Sequence, residues 1–393
     1  MKKVTRTVWI LSIVSLFTDV ASEMLYPVMP VYLKSIGFSV LLIGILEGVA
    51  EATAGLSKGY FGKLSDLSGR RVPFVRLGYA FSAISKPMMA MFVFPLWIFA
   101  ARTIDRFGKG LRTGARDALL SGEATPATKA RVFGFHRAMD TTGAVMGPLL
   151  ALAYLYFYPG SYRALFLIAF IPGLLAVAAT LLIKEKPMEK KEKVSTTFFS
   201  FLKYWSAAPR EYRRVTAGLL AFALFNSSDV FLLLKAKEAG ITDTRVIGIY
   251  VFYNLVYALA AFPLGILADR AGLKRVFAGG LILFAAVYTG ISFSHEEYLF
   301  WALFFFYGIY AAATEGISKA WISNITHAND TATAIGTYSA FQSICTLLAS
   351  SLTGFIWFRL GAAAAFIVTA IATAVVAVYF IFATVSPQKK PDN

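Results

Sequence analysis

The chain predicts an all-α membrane protein, twelve transmembrane helices in two six-helix pseudo-symmetric bundles, and three observations carry that prediction. Of the 393 residues 58% are hydrophobic and 15% charged, with a mean hydropathy of +0.64, whereas soluble domains are about a quarter charged. The apolar residues form runs of about 20 separated by short basic loops, the spacing needed to cross a ~30 Å hydrocarbon layer. The two halves also repeat one another, as described below. This composition excludes a disordered chain, a disulfide scaffold and an ordinary soluble enzyme.

In order, the spans fall at about 8–33, 40–62, 73–94, 95–121, 131–157, 162–183, 214–235, 246–268, 275–293, 297–322, 332–357 and 362–385. The first carries Asp19 and Glu23 and lacks a small-residue cleavage site, so it reads as a retained helix and not a signal peptide. An even number of spans puts both termini on one side. Lys2, Lys3, Arg6, Lys389 and Lys390 place that side in the cytoplasm of an inner (plasma) membrane. The richest basic stretch follows span six and includes Lys184, Lys186, Lys190, Lys191, Lys193, Lys203, Arg210, Arg213 and Arg214. It divides the chain into a bundle at 1–183, a cytoplasmic linker at 184–213 and a second bundle at 214–393. Within the linker Phe198, Phe199, Leu202 and Trp205 beside Lys203 suggest a short interfacial amphipathic helix. The loop 323–331, cytoplasmic by this count, contains no Lys or Arg. Cys345 lies in an apolar run and reads as a small core residue. The excess of 38 Lys+Arg over 22 Asp+Glu follows from topology and attraction to anionic lipid, so no nucleic-acid partner is implied.

Span two ends in Gly62-Lys-Leu-Ser-Asp66-Leu-Ser-Gly69-Arg70-Arg71, and span eight in Gly265-Ile-Leu-Ala-Asp269-Arg270-Ala-Gly272-Leu-Lys274-Arg275. Gly, Leu, Asp and Gly recur at one offset of 203 residues, the mark of repeated six-helix halves around a central pathway. Glycines let helices approach closely, and Asp66 can accept from loop N–H groups or pair with Arg70 or Arg71. At these residues the sequence resembles the major facilitator superfamily, whose signature reads Gly-x-Leu-(Ser/Ala)-Asp-(Arg/Lys)-x-Gly-Arg-(Arg/Lys); Leu67 and, in the second copy, Leu273 depart from it. The resemblance implies a secondary transporter in which Gly62, Asp66 and Arg70, with Gly265 and Asp269, gate the cytoplasmic face. It further implies a monomer without cofactors. In span five Gly143-Ala-Val-Met-Gly147-Pro148-Leu-Leu-Ala151 is similar to the Gly-x-x-x-Gly-Pro-x-x-Gly-Gly of superfamily proton-exchanging exporters. Its small residues and Pro148 equally suit plain tight helix crossing.

Ionisable groups within a membrane are costly and hence functional candidates. Asp19 and Glu23, and likewise Glu47 and Glu51, are spaced i, i+4, so each pair faces one side of its helix; all four are candidates for proton coupling. Span four carries Arg102, Asp105, Arg106, Lys109, Arg112 and Arg116 within an arc of roughly 120°. Two readings stay open for that stripe: neutralisation by the four carboxylates, or recognition of an anionic solute, for which arginine suits bidentate contacts. Lys86 in span three is a substrate lysine or the partner of a span-two glutamate. His136 and Asp140 in span five could relay protons, and Arg137 with Asp140 could form a gate bridge. The C-terminal half is poorer in charge, offering Asn226, Asp229, Tyr250, Tyr253, Asn254, Tyr257, Tyr338 and Gln342, with Glu315 and Lys319 in the favourable order for an intrahelical pair. Aromatics with a few amides suit a small-molecule cavity.

No phosphate loop, metal-ligand cluster or nucleophile elbow is present in the sequence, so it predicts no enzyme. The expected function is proton-coupled efflux of a small solute, anionic or zwitterionic, by alternating access. The alternatives are uptake or exchange of an organic or phosphorylated anion, and a non-transporting receptor or scaffold.

Overall fold

The structure, a computed structural model, describes residues 4–26, 28–29, 32–33, 36–38, 40–185 and 197–382, with the backbone alone at 40–45, 47–48 and 243–244. Lys2, Lys3, Lys389, Lys390 and the linker lysines 186, 190, 191 and 193 lie outside the described residues, as does the side chain of Glu47. Every regular element described is helical. The long helices are α1 (Arg6–Glu23), α2 (Val40–Ser68), α3 (Val72–Met91), α4 (Pro95–Gly122), α5 (Lys129–Phe157), α6 (Tyr162–Thr180), α7 (Arg210–Ala223), α8 (Val230–Glu238), α9 (Asp243–Ala271), α10 (Leu273–Phe293), α11 (Glu297–Asn324), α12 (Thr331–Leu360) and α13 (Ala362–Phe382). Among the described residues seven of them, α5, α6 and α9 to α13, are long and apolar enough on their own to cross a membrane. The others carry too much charge or are broken, which is the feature that makes the first half chemically distinct.

Two expected spans are interrupted. The first helix ends at Glu23 rather than running to residue 33; Pro27 and Pro30 follow in the sequence and disfavour continued α geometry before them. The seventh splits into α7 and α8 around Asn226-Ser227-Ser228-Asp229. These side chains compete with backbone partners, and the broken ladder is compensated from outside: Ser350 Oγ accepts from the Ser228 N–H at 3.2 Å, and Tyr307 donates to Asp229 at 2.7 Å. Both breaks sit near the same point of their halves. The linker forms a 3₁₀ turn (Phe198–Leu202) and one helical turn (Lys203–Ala207). Phe201 is buried and touches Gly59, and Lys63 donates to the Ser200 carbonyl at 3.1 Å, so this segment is tied to α2.

Within the first half α1 packs on α5 and α6, and α4 on α2 and α3; within the second α9 packs on α11, and α10 on α11 and α13. The halves meet along α2 with α12 and α5 with α9. Both seams are glycine-lined at one end. A Cβ on Gly62 would strike the Ala332 carbonyl, on Gly336 the Lys58 carbonyl, on Gly134 the Ala261 carbonyl, and on Gly265 the Ala130 carbonyl. Only glycine permits that backbone approach. Large apolar side chains such as Leu77, Tyr156, Phe157, Leu259 and Phe358 stand exposed, a surface that belongs in hydrocarbon rather than water.

Candidate functional site

The two repeated motifs close one end of the molecule. Asp66 is buried; its Oδ1 accepts from Arg71 Nη2 at 2.9 Å, and its Oδ2 accepts from the N–H and hydroxyl of Thr333 at 2.7 and 2.8 Å. It thus caps the start of α12 in the opposite half, where a carboxylate meets the positive helix terminus. Arg71 also donates to the Ala328 carbonyl at 2.7 Å. Arg70, expected as a gate residue, is exposed, and its neighbour Arg71 makes the ion pair. The reason is the turn: Gly69 at φ +64 reverses the chain, and Glu185 accepts from the N–H groups of Arg71 and Val72 at 2.7 and 2.9 Å.

In the second copy Asp269 accepts from the N–H groups of Ala130 and Arg131, both at 3.0 Å, at the start of α5. Each half therefore holds the helix start of the other through an aspartate, at positions that repeat with the motif. The loop 323–331, poor in cations, borrows them. Lys129 donates to the Ser323 carbonyl at 2.5 Å, and Arg71 reaches Ala328.

Deeper in the seam stands Arg137 of α5. It donates to Asp140 at 2.8 Å on its own helix, pairs across the seam with Glu315 of α11, and bonds the hydroxyl of Tyr257 on α9. Asp140 accepts from Ser15 and lies within hydrogen-bonding reach of the Asp19 carboxyl on α1. A second bridge crosses nearby: Asp117 of α4, wholly buried, pairs with Arg116 at 2.9 Å and with Lys319 of α11 at 2.8 Å. Glu315 and Lys319 thus bind partners across the seam, not each other, because both project from α11 toward the first half. His136 approaches Ser12 at 3.5 Å, while Asp140 is taken by Arg137.

Of the span-four stripe, part is neutralised inside the first half. Asp105 pairs with Lys86 at 2.8 Å and Arg102 at 3.6 Å, so Lys86 meets an α4 aspartate. Arg112 is buried beneath the Tyr79 ring, 4.5 Å from its centroid, and donates to Ser82 at 2.6 Å. Arg112 and Arg116 are both buried.

The rest is less enclosed. Glu51 is half exposed and lies 3.8 Å from Arg106; Lys109 is exposed. Glu23, Glu51 and Lys58 all lie within electrostatic reach of Arg106 and Lys109. Tyr250 of α9, in the second half, lies within electrostatic reach of Glu23. Lys58 was not singled out by sequence reasoning, although it sits two turns after Glu51 on the same face.

The second half holds an aromatic cluster. Tyr253, Phe284, Tyr288, Tyr307 and Tyr310 are mutually packed and buried. Asn226 donates to the Tyr310 hydroxyl at 3.2 Å, Asn254 to the Tyr250 carbonyl at 3.0 Å, and Gln342 is half-buried. On α5, Gly143 and Gly147 press on the α1 backbone near Leu16 and Val20–Met24, and Pro148 is accommodated within a continuous helix.

The comparisons agree with this geometry. The sequence matches the Major Facilitator Superfamily over residues 11–235 and again over 215–393. It is 32% identical over 362 residues to an MFS-type transporter of Methanocaldococcus jannaschii, covering 91% of this chain and 89% of that one. A multi-drug resistance efflux pump PmrA homolog of Lactococcus lactis is 26% identical over 158 residues, 39% of this chain and 38% of the relative. Among solved structures the E. coli fucose:proton symporter FucP superposes with a TM-score of 0.78 at 12% identity, covering 96% of this chain and 98% of that one. The same protein in its outward conformation scores 0.78 as well. With a reciprocal aspartate latch, a charged seam and two helical halves in place, the chain belongs to the major facilitator superfamily and is a multi-pass membrane transporter of small solutes.

Proposed function

We propose that the chain exports a small zwitterionic or anionic solute in exchange for protons, with the latched end and both termini in the cytoplasm. Orientation is supported by Lys63, Arg70, Arg71, Arg270, Lys274 and Arg275, which cluster at that end; on this reading the structure is the outward-open state. The unit of rocking is the bundle at 1–183 against the bundle at 214–393, with 184–213 as the strap.

One observation carries the coupling reading: a single cation, Arg137, is shared by Asp140 of one half and Glu315 of the other, with Asp19 against Asp140. A hydrogen bond between two carboxyls holds one proton. A proton gained on the Asp19–Asp140 pair weakens the hold on Arg137 and favours inward access. Solute must have the opposite preference, since a ligand shifts an equilibrium only through differential affinity. A zwitterion meets that requirement: its carboxylate suits Arg106 and Lys109, while its ammonium competes with protons for Glu23 and Glu51. The PmrA homolog and the span-five Gly-Pro pattern favour export.

The test is transport into proteoliposomes under an imposed pH gradient, using a solute found by ligand-induced thermal stabilisation. Asp19→Asn, Glu23→Gln, Glu47→Gln and Glu51→Gln are each expected to uncouple or slow transport. If all four match wild type, the proton assignment is wrong. A second reading, exchange of an organic or phosphorylated anion, is favoured by the exposed Lys109 beside Lys58 and Arg106. Gradient-independent exchange of labelled anions would select it.

A further inference from the structure

The seam holds a small cavity of about 20 Å³, lined by Arg116 of α4, by His136, Arg137 and Asp140 of α5, and by Glu315 and Lys319 of α11. Both halves supply its walls. The charged side chains there already have partners: Arg116 and Lys319 share Asp117, and Arg137 joins Asp140 to Glu315. His136 is the exception. It is 4% exposed, its Nδ1 lies 3.5 Å from the Ser12 hydroxyl, and its Nε2 has no hydrogen-bond partner among the described residues. A neutral imidazole carries one donor and one acceptor nitrogen, and leaving either unpaired in the interior is costly. Asp140, one turn further along α5, shares the cavity, but its oxygens accept from Ser15 and Arg137. The volume admits one water and no larger ligand, and a buried water needs two to four polar partners, which these walls supply.

We propose that this cavity holds one ordered water, bonded to His136 Nε2, and that water and imidazole together carry protons between Asp140 and the latched end. The proposal rests on the proton-coupling reading above and adds its route. A proton on the Asp19–Asp140 pair breaks its O–H bond and joins the water oxygen. One of the water's own O–H bonds breaks, and that proton joins Nε2. The water is restored, the carboxyl pair gains a negative charge and the imidazole a positive one. Nε2 is therefore the unprotonated nitrogen beforehand, with the Nδ1 N–H directed at Ser12. Arg116 and Asp117 of α4, Arg137 and Asp140 of α5, and Glu315 and Lys319 of α11 surround the ring. Cations and carboxylates there are equal in number, so the imidazolium forms in a balanced field. Because α11 is one wall, parting of the seam at the latched end exposes Nε2 to the cytoplasm, where the proton leaves.

The experiment uses the full-length protein. Hydroxyl-radical footprinting with a brief X-ray pulse, read by mass spectrometry, marks side chains that water reaches, and His295 and His327 are exposed references of the same residue type. His136 is expected to be oxidised at a rate of the same order as theirs despite its burial. No oxidation of His136 means a dry cavity and overturns the site. The proton step is tested in proteoliposomes under an imposed pH gradient, with the solute identified by thermal stabilisation. His136→Leu and His136→Gln are each expected to slow gradient-driven transport about tenfold or more, with melting temperature and solute-induced stabilisation unchanged. His136→Gln keeps a hydrogen-bonding group near the position of Nε2, so wild-type transport by it shows that the imidazole carries no proton and overturns the step. Should His136→Leu fail to fold, His136→Gln decides alone. The coupling reading fails separately: a wild-type protein that ignores the gradient refutes it, and the route with it. Wild-type transport by both His136 variants, with Asp19→Asn impaired, refutes the route only.

Discussion

Asp117 shows how a charge is kept inside this bundle. It has no exposed side-chain surface and holds Arg116 at 2.9 Å and Lys319 at 2.8 Å, one cation from each half. Asp117→Asn keeps the shape and strands two cations, so a loss of about 3–5 kcal/mol is expected, as for a buried pair broken on one side. Adding Lys319→Gln should recover part of it. Thermal unfolding of both variants in detergent tests this, and an unchanged midpoint in Asp117→Asn would mean the carboxylate is solvated. At this scale sequence reasoning passed over Asp117 and Lys58, and it found the other groups more often than their partners. Asp66 and Asp269 were legible because a repeated motif marks them. Arg137 with Glu315 was not, since the partners lie far apart in sequence and pair only when α5 meets α11. The choice of Arg71 over Arg70 depends on where the turn at Gly69 aims each side chain, which residue type does not encode.

At the scale of helices, hydropathy located nearly every element, and it failed where polar residues and prolines interrupt a span. The breaks after Glu23 and at Asn226–Asp229 read in sequence as continuous apolar stretches, because three or four polar residues barely alter a twenty-residue average. Pro27 and Pro30 account for the first; the cause of the second is local competition for backbone partners, compensated by Ser350 and Tyr307. The glycine seams are the other helical feature that matters. Gly336 faces the Lys58 carbonyl and the Gly59 backbone with no room for a side chain. Gly336→Val is expected to force α2 and α12 apart, costing about 1–3 kcal/mol as overpacking does. It should also raise protease or maleimide access at the latched end. Gly279, which has open space around it, is the control: Gly279→Ala should leave both readouts unchanged, and equal effects at the two sites would refute the seam.

For the whole molecule, the asymmetry of the halves is the organising fact. The first carries most of the buried charge, while the second holds a buried aromatic cluster. The latches that join the halves are separate contacts, so each can be removed alone. With Cys345→Ser as background, Ala261→Cys is expected to react slowly with maleimide, since it is buried against Gly134. Asp66→Asn with Asp269→Asn should accelerate that labelling about tenfold or more, the effect of ~1.4 kcal/mol. No acceleration would mean the aspartates are bystanders to gating.

Those two aspartates have a consequence for the character of the motion. Asp66 grips the start of α12 and Asp269 the start of α5, one on each side of the same midline. Releasing one leaves a hinge pinned at the other, and the bundles can tilt but not part. At this end, release comes only when both let go, so the chances of it multiply. In the proposed transport cycle, two modest grips act as a double-keyed lock, and half-open leaks are suppressed without either grip being strong.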